Sequence, residues 1–274
     1  MGQVQEIILL MKYIFLGIFQ GITEPLPISS SGHLILLKTG LGLDLPGLSF
    51  EVVVHFGSLI AICIVYRKTI IRLLTNSMKY MKYKEQEDYD DYKFVLLLLV
   101  ASIPAGIIGI LFQDAISNQL SSIRVVGITL IITGICLWLI RKKIGTKGES
   151  QLSLWDGIVI GCAQALALIP GISRSGATIV AALSLGIDRD TALRFSFLLY
   201  IPVALGSVAF SINDVRQDPL LSARMILFII ACIASLLATY LALKWFMNIM
   251  KKGKLAYFAW YCLIIGTMVL LLFT

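Results

Sequence analysis

The residues able to do chemistry fall in two short polar stretches set in apolar sequence. The first runs Gln20-Gly21-Ile22-Thr23-Glu24-Pro25-Leu26-Pro27-Ile28-Ser29-Ser30-Ser31-Gly32-His33. The second runs from Gln164 and centres on Pro170-Gly171-Ile172-Ser173-Arg174-Ser175-Gly176-Ala177-Thr178. A carboxylate, an imidazole, a guanidinium and a cluster of hydroxyls are costly at membrane depth, so they point to function. Glu24 is a candidate general base or metal ligand. Gln20 lies four residues earlier, on the same helical face, where its amide can orient Glu24 or bind a ligand. Ser29, Ser30, Ser31 and Gly32 open one helix; Ser173, Ser175 and Gly176 open another, behind the Gly171 turn. Helix N-termini offer free N–H groups and a positive dipole end to phosphate. Arg174 has the fork that suits bidentate phosphate binding. His33 is about a turn from Ser30, within reach of the serine or a leaving oxygen. Glu51 and His55 are candidates for outer support.

Each residue also has a plainer explanation. Serine at a helix start is often only a cap. Glu24 and Arg174 could pair for structure alone. Two hydroxyl-rich helix starts in one chain favour a ligand. The combined set of oxyanion donors, fixed cation, carboxylate, hydroxyl and histidine is a phosphoryl-transfer inventory. It lacks a Gly-rich nucleotide loop, so a nucleotide is not implied. The apolar setting points to a lipid-linked phosphate.

The elements that must position these groups are membrane helices. The 274 residues are 58% hydrophobic and 14% charged, with mean hydropathy +0.90; soluble domains carry about 25% charge. The net charge of +7 orients loops in such a chain and does not imply nucleic acid. Cys63, Cys136, Cys162, Cys232 and Cys262 all lie in apolar segments and form no metal-type cluster. Glu6 and Lys12 interrupt the first apolar run, which reads as a structural segment rather than a signal peptide.

The expected fold is an all-α polytopic membrane protein, one integral domain over residues 1–274. Residues 7–24 and 30–43 read as half-length helices of a re-entrant hairpin, each short of the ~20 residues a crossing needs. Spans follow at about 50–66, 94–112 and 124–140, separated by a basic, solvated loop at 67–93 and a loop at 113–123. A second broken pair, 155–169 and 172–187, precedes spans at about 191–211, 225–246 and 256–273. The halves, 1–143 and 151–274, match at an offset of 144: Gly17 with Gly161, Gln20 with Gln164, Ser29 with Ser173, Ser31-Gly32 with Ser175-Gly176, and Gly42 and Asp44 with Gly186 and Asp188. One residue later in offset, Leu48 and Phe50 match Leu193 and Phe195. This pattern predicts an internal duplication.

Three crossings per half invert the second repeat relative to the first. Loops 67–93, 141–154 and 247–255 carry seven, four and three Lys/Arg, against none in 113–123 and one in 212–222. The positive-inside rule puts the three basic loops in the cytoplasm and both termini outside. The expectation is six transmembrane helices and two re-entrant hairpins whose polar tips meet near the midplane.

These motifs resemble the undecaprenyl-diphosphate phosphatase family, the bacitracin-resistance phosphatases. The resemblance rests on Gln20-x-x-x-Glu24, Pro27-Ile28-Ser29-Ser30-Ser31-Gly32-His33 and Pro170 to Thr178, and it covers nearly the whole chain. It implies removal of one phosphate from undecaprenyl diphosphate at the outer face of the bacterial plasma membrane. That regenerates the carrier lipid for cell-wall synthesis and confers bacitracin resistance. It implies dependence on a divalent metal, Mg2+ or Ca2+, for which Glu24 is the candidate ligand, and frequent homodimers. By resemblance Glu24 is the essential acid, Ser30 the candidate nucleophile, His33 the proton-handling residue and Arg174 the diphosphate clamp. Ser173 and Thr178 contact phosphate. The family's first motif carries Glu or Gln at position 20; Gln20 here weakens a two-carboxylate metal site. Ser30, His33 and water all stand as possible attacking groups.

Two other classes compete. The type 2 phosphatidic acid phosphatases also use a Ser-Gly-His stretch, but need a second histidine downstream of Ser-Arg. His33 and His55 both lie upstream of Ser173-Arg174. Inverted repeats with broken helices also suit a secondary transporter or lipid flippase. A pure transporter has no need of Ser30-x-x-His33 opposite Arg174.

Overall fold

A computed structural model describes residues 3–42 and 49–273; the side chains of 113–115, 117–119, 214, 220 and 222 fall outside that description. Asp44 and Leu48, two of the repeat matches, also lie outside the described residues. The order is α1 (Gln3–Thr23), α2 (Ser30–Gly40), α3 (Ser49–Tyr83), α4 (Tyr89–Gln119), α5 (Ile123–Ile140), α6 (Leu154–Leu166), α7 (Arg174–Ser184), α8 (Arg189–Gln217), α9 (Pro219–Ala223), α10 (Met225–Lys251) and α11 (Ala256–Phe273). No strand occurs among the described residues. Helix is what a chain this apolar must form where water cannot satisfy its backbone.

Seven of the described helices are long and apolar enough to cross a membrane: α1, α3, α4, α5, α8, α10 and α11. The sequence led us to expect six. The seventh is α1, which runs 21 residues because the polar residues near its start do not interrupt the helix. Its counterpart α6 has only 13 residues. The expected basic loop at 67–93 is also mostly helix. Residues 67–83 contain neither Pro nor Gly, bury Leu73 and Ser77, and continue α3. Charge suggested a loop there, but lysines and arginines are good helix formers on a solvated face. Likewise α4 continues to Gln119, past a non-helical turn at Phe112, into the expected 113–123 loop.

Packing pairs helices distant in sequence. α1 lies on α10, α6 on α4, α5 on α11, and α3 on both α8 and α10. Glycines set two of these close approaches at positions 144 residues apart. A Cβ on Gly17 would overlap the Ala231 carbonyl of α10, and one on Gly161 would overlap the Ala101 carbonyl of α4. Small residues let membrane helices approach this closely and gain dispersion contacts. Aromatic pairs fill the core between the longer helices: Phe94 with Phe195 at 5.4 Å and Phe246 with Phe258 at 5.3 Å between ring centroids. The outer faces of α4, α10 and α11 expose large apolar side chains such as Leu111, Leu241 and Leu271.

Candidate active site

Both polar stretches become helix breaks, and the breaks face each other. α1 stops after Thr23 because Pro25 and Pro27 cannot donate backbone hydrogen bonds. The Glu24 amide still donates to the Gln20 carbonyl at 2.9 Å, which places Glu24 one residue past the helix. The chain then turns through Ser29, whose φ of 68° is in the left-handed region that non-glycine residues avoid. Its hydroxyl caps α2 by accepting from the Gly32 amide at 3.3 Å. In the second break Ser173 caps α7 in the same way, accepting from the Gly176 amide at 3.1 Å. There the positive φ falls on Gly171. Pro27 stands at the position equivalent to Gly171 and its ring holds φ negative, so the first tip must turn at Ser29 instead. The tips touch through backbone: a Cβ on Gly32 would sit 2.9 Å from the Gly171 Cα.

Glu24 is the hub. Its side chain is 1% exposed and forms an ion pair, through Oε1, with Arg174 Nη2 from the other half. Oε2 accepts from Ser30 Oγ at 2.6 Å and from Gln20 Nε2 at 2.5 Å. His55 Nε2 lies 3.3 Å from the same oxygen. Arg174 opens α7 and stacks its guanidinium 3.8 Å from the centroid of the Tyr200 ring. The Tyr200 hydroxyl donates to the His55 carbonyl at 2.9 Å, tying the cation's platform to α3. A buried charge needs this much pairing to be tolerated.

The constellation lines a cavity of about 270 Å³. Ser29, Ser30, Ser31, Ser173, Arg174, Ser175 and Glu24 face it, joined by Glu51, His55 and Tyr200. Its remaining wall is largely apolar, with Phe56, Leu168, Ile172, Val203 and Val208, and Phe56 is exposed on the outer surface. A polar end and an apolar exit suit a phosphate on a lipid chain.

Residues 13–268 match the family model of the bacitracin resistance protein BacA. The chain is 51% identical over 262 residues to Undecaprenyl-diphosphatase 2 of Bacillus thuringiensis, covering 96% of this chain and 97% of that one. It is 50% identical over 267 residues to Undecaprenyl-diphosphatase 1 of Bacillus licheniformis, covering 97% and 99%. The Undecaprenyl-diphosphatase of Oceanobacillus iheyensis is 50% identical over 264 residues, covering 96% of each.

The chain belongs to the bacitracin resistance protein BacA family.

Within this family member the structure brings together Glu24, Gln20, Ser30 and Arg174 as the motifs led us to expect. It does not bring His33 to them. His33 Nδ1 lies 2.8 Å from the Ser29 carbonyl and Nε2 lies 2.9 Å from the Tyr261 hydroxyl. The ring stacks on Tyr261 and does not line the cavity. In the neutral ring Nδ1–H donates to Ser29 and Nε2 accepts from Tyr261. The expected reach from His33 to Ser30 is therefore not made, because helical spacing puts the ring on the α5–α11 side of α2. Gly171, Gly176 and Thr178 also stay off the cavity wall. Gly171 packs on Thr129 of α5, and Thr178 shares a hydrogen bond of 2.5 Å with Ser196. Ser175 lines the wall but donates to the Leu26 carbonyl at 3.0 Å, joining the two tips.

The histidine that lines the cavity is His55, which lies beside Glu24 and not in the position expected of His33 next to Ser30. The sequence marked it only as outer support, and nothing local to it signalled more. Tyr200 escaped notice altogether: a tyrosine in Leu198-Leu199-Tyr200-Ile201-Pro202 carries no motif. Among the described residues, no group of three or more His, Cys, Asp or Glu could hold a metal ion. Gln20 Oε1 is buried without a hydrogen-bond partner, while the Nε2 of the same amide donates to Glu24. Glu51 points its carboxylate at Lys38, 2.7 Å away.

Proposed function

We propose that this cavity hydrolyses undecaprenyl diphosphate to undecaprenyl phosphate and inorganic phosphate, with Ser30 as the attacking group. The observation that carries this reading is the 2.6 Å hydrogen bond from Ser30 Oγ to Glu24, opposite Arg174 from the other half. Undecaprenyl-diphosphatases that are about half identical over nearly the full length support the substrate.

The chemistry follows from what these groups can exchange. An arriving diphosphate competes with Glu24 for Arg174. Once Arg174 turns to the phosphates, Glu24 is free to accept the Ser30 proton. Ser30 Oγ then bonds to the terminal phosphorus as the bond to the bridging oxygen breaks. Undecaprenyl phosphate leaves as an anion that needs no added proton. The serine phosphate lies at the N-terminus of α2, where dipole and N–H groups stabilise it. Glu24 passes its proton toward His55, 3.3 Å away, and then takes a proton from water as the water oxygen bonds to phosphorus and the bond to Ser30 Oγ breaks; a proton returns to Ser30 Oγ and inorganic phosphate leaves. His33 acts by holding Ser29, and so the Ser30 backbone, in its left-handed turn.

A divalent ion fits only with the substrate present. Hard cations take carboxylate, amide and phosphate oxygens, and Mg2+ commonly uses one or two carboxylates plus substrate phosphates. Glu24 would hold it, joined by Gln20 Oε1 once the amide that donates to Glu24 turns over, and the ion would supply charge neutralisation on the diphosphate.

The reading extends to the whole molecule. The equivalent close approaches at Gly17 and Gly161, and the exchange of α1 on α10 for α6 on α4, support two inverted repeats in the membrane. We read α1–α2 and α6–α7 as hairpins entering from opposite faces, with the polar start of α1 (Gln3, Gln5, Glu6) left outside the membrane although the helix is long enough to cross. The Lys/Arg distribution supports basic ends in the cytoplasm and a cavity opening to the outside of the bacterial plasma membrane. There the enzyme would return the carrier lipid to cell-wall synthesis, as a homodimer.

Phosphate release by the purified protein tests the function, with C15 and C55 diphosphates, with and without chelator. Ser30→Ala is expected to lower turnover at least ~100-fold while leaving substrate binding near normal. An acid-stable phosphate trapped on Ser30 is the positive result. Ordinary turnover in Ser30→Ala rejects serine as the attacking group.

A further inference from the structure

We propose that a basic groove between α3 and α10 binds the phosphate headgroup of an anionic phospholipid. The groove encloses about 190 Å³ and is lined by Ile64, Val65, Arg67 and Lys68 of α3 and by Tyr240 and Lys244 of α10. It shares no lining residue with the Glu24 cavity. Arg67, Lys68 and Lys244 are exposed. Among the described residues, none of the three forms an ion pair with a carboxylate. Lys244 Nζ instead donates to the Tyr240 hydroxyl and lies 4.2 Å from that ring's centroid. Three like charges facing one groove repel each other, and an anion between them relieves the repulsion.

The surroundings distinguish a lipid from a free anion. Ile64, Ile71, Leu241 and Trp245 are large apolar side chains exposed beside the cations. A tyrosine and a tryptophan next to lysines mark the level where headgroups meet acyl chains. A diffusible phosphate ion would use only the charges, whereas a phospholipid uses the charges and the adjoining apolar strip together. Basic pockets between membrane helices on the cytoplasmic side recognise anionic headgroups in this way. The groove lies in the cytoplasmic leaflet under the topology proposed above, but the binding does not depend on the phosphatase reading.

Native mass spectrometry of the full-length protein, titrated with phosphatidylglycerol or phosphatidylcholine, tests the site. Wild type is expected to hold phosphatidylglycerol at least ~10-fold more tightly. The variant Arg67→Gln/Lys68→Gln/Lys244→Gln is expected to lose that preference. Lys79→Gln/Lys82→Gln/Lys84→Gln removes the same charge farther along the basic face and is expected to keep it. Millimolar inorganic phosphate should not displace the lipid. Equal retention of both lipids by wild type, equal loss in both triple variants, or displacement by inorganic phosphate overturns the site. Should the first variant not fold, wild type is crosslinked with a headgroup-photoreactive phosphatidylglycerol. Adducts within residues 62–72 and 238–248 support the groove, and adducts confined elsewhere overturn it.

Discussion

Glu24 has more partners than any other side chain in the cavity, and each makes a different demand. Gln20 and Ser30 hold one oxygen while Arg174 neutralises the other. Glu24→Gln keeps the shape but loses both the charge and the proton acceptor. Turnover is expected to fall by ~100-fold or more, measured as phosphate release at saturating substrate. Arg174→Lys keeps the charge but loses the planar face that stacks on Tyr200. A large loss of turnover with an unchanged thermal midpoint is expected; near wild-type activity would show that a point charge suffices. His33 separates positioning from proton transfer. An asparagine side-chain N–H can donate to the Ser29 carbonyl as Nδ1–H does, whereas alanine cannot. His33→Asn is therefore expected to retain much more activity than His33→Ala, with the pH profile of wild type. A His33→Asn variant as inactive as His33→Ala, or with a displaced pH profile, would return His33 to proton transfer.

At the scale of elements, two features hold the broken helices α1 and α6 in place. Gly17 and Gly161 let α1 and α6 lie directly on the backbones of α10 and α4. Gly161→Val forces those backbones apart and is expected to destabilise by ~1–3 kcal/mol. Gly106→Ala is the control, since a Cβ there meets nothing within 4 Å; its thermal midpoint should stay level or rise. The start of α6 is fixed by Asp156, which accepts from the Ser153 amide at 2.6 Å, from its hydroxyl at 2.7 Å and from Lys147. Burial alone would push the Asp156 carboxyl up. The hydrogen bonds from Lys147 and Ser153 and the Lys147 charge outweigh it and hold the carboxyl below its ordinary 3.8. The stabilisation is therefore complete above 3.8 and is lost as pH falls through the lowered value. Asp156→Asn is expected to lower stability by ~1 kcal/mol near neutral pH. That gap in thermal midpoint should narrow as the pH is taken progressively below 3.8.

At the scale of the whole molecule, the chain brings two breaks 144 residues apart into one cavity. Orientation decides which leaflet supplies the substrate. In a variant without native cysteines, a membrane-impermeant thiol reagent should label Ser121→Cys on intact cells. Lys82→Cys, on the long extension of α3 that the proposed topology puts in the cytoplasm, should react only after permeabilisation. The reverse pattern would turn the cavity to the cytoplasm.

The membrane class, the two breaks and the grouping of Glu24, Gln20, Ser30 and Arg174 were legible in the sequence. Hydropathy, Pro and Gly placement and costly polar residues are local signals, and each occurs at both breaks. Helix ends were less legible: charge made 67–83 look like a loop, although helix propensity and the buried Leu73 continue α3 there. Only the tertiary structure decided which histidine lines the cavity. Spacing along one helix favoured His33 beside Ser30, but the face of α2 that carries it packs toward Tyr261, and His55 arrives from α3 beside Glu24. Tyr200 likewise acquires its role only when α8 packs beside α3 and α7. A contact between helices far apart in sequence depends on which faces pack, and neither composition nor local spacing encodes that.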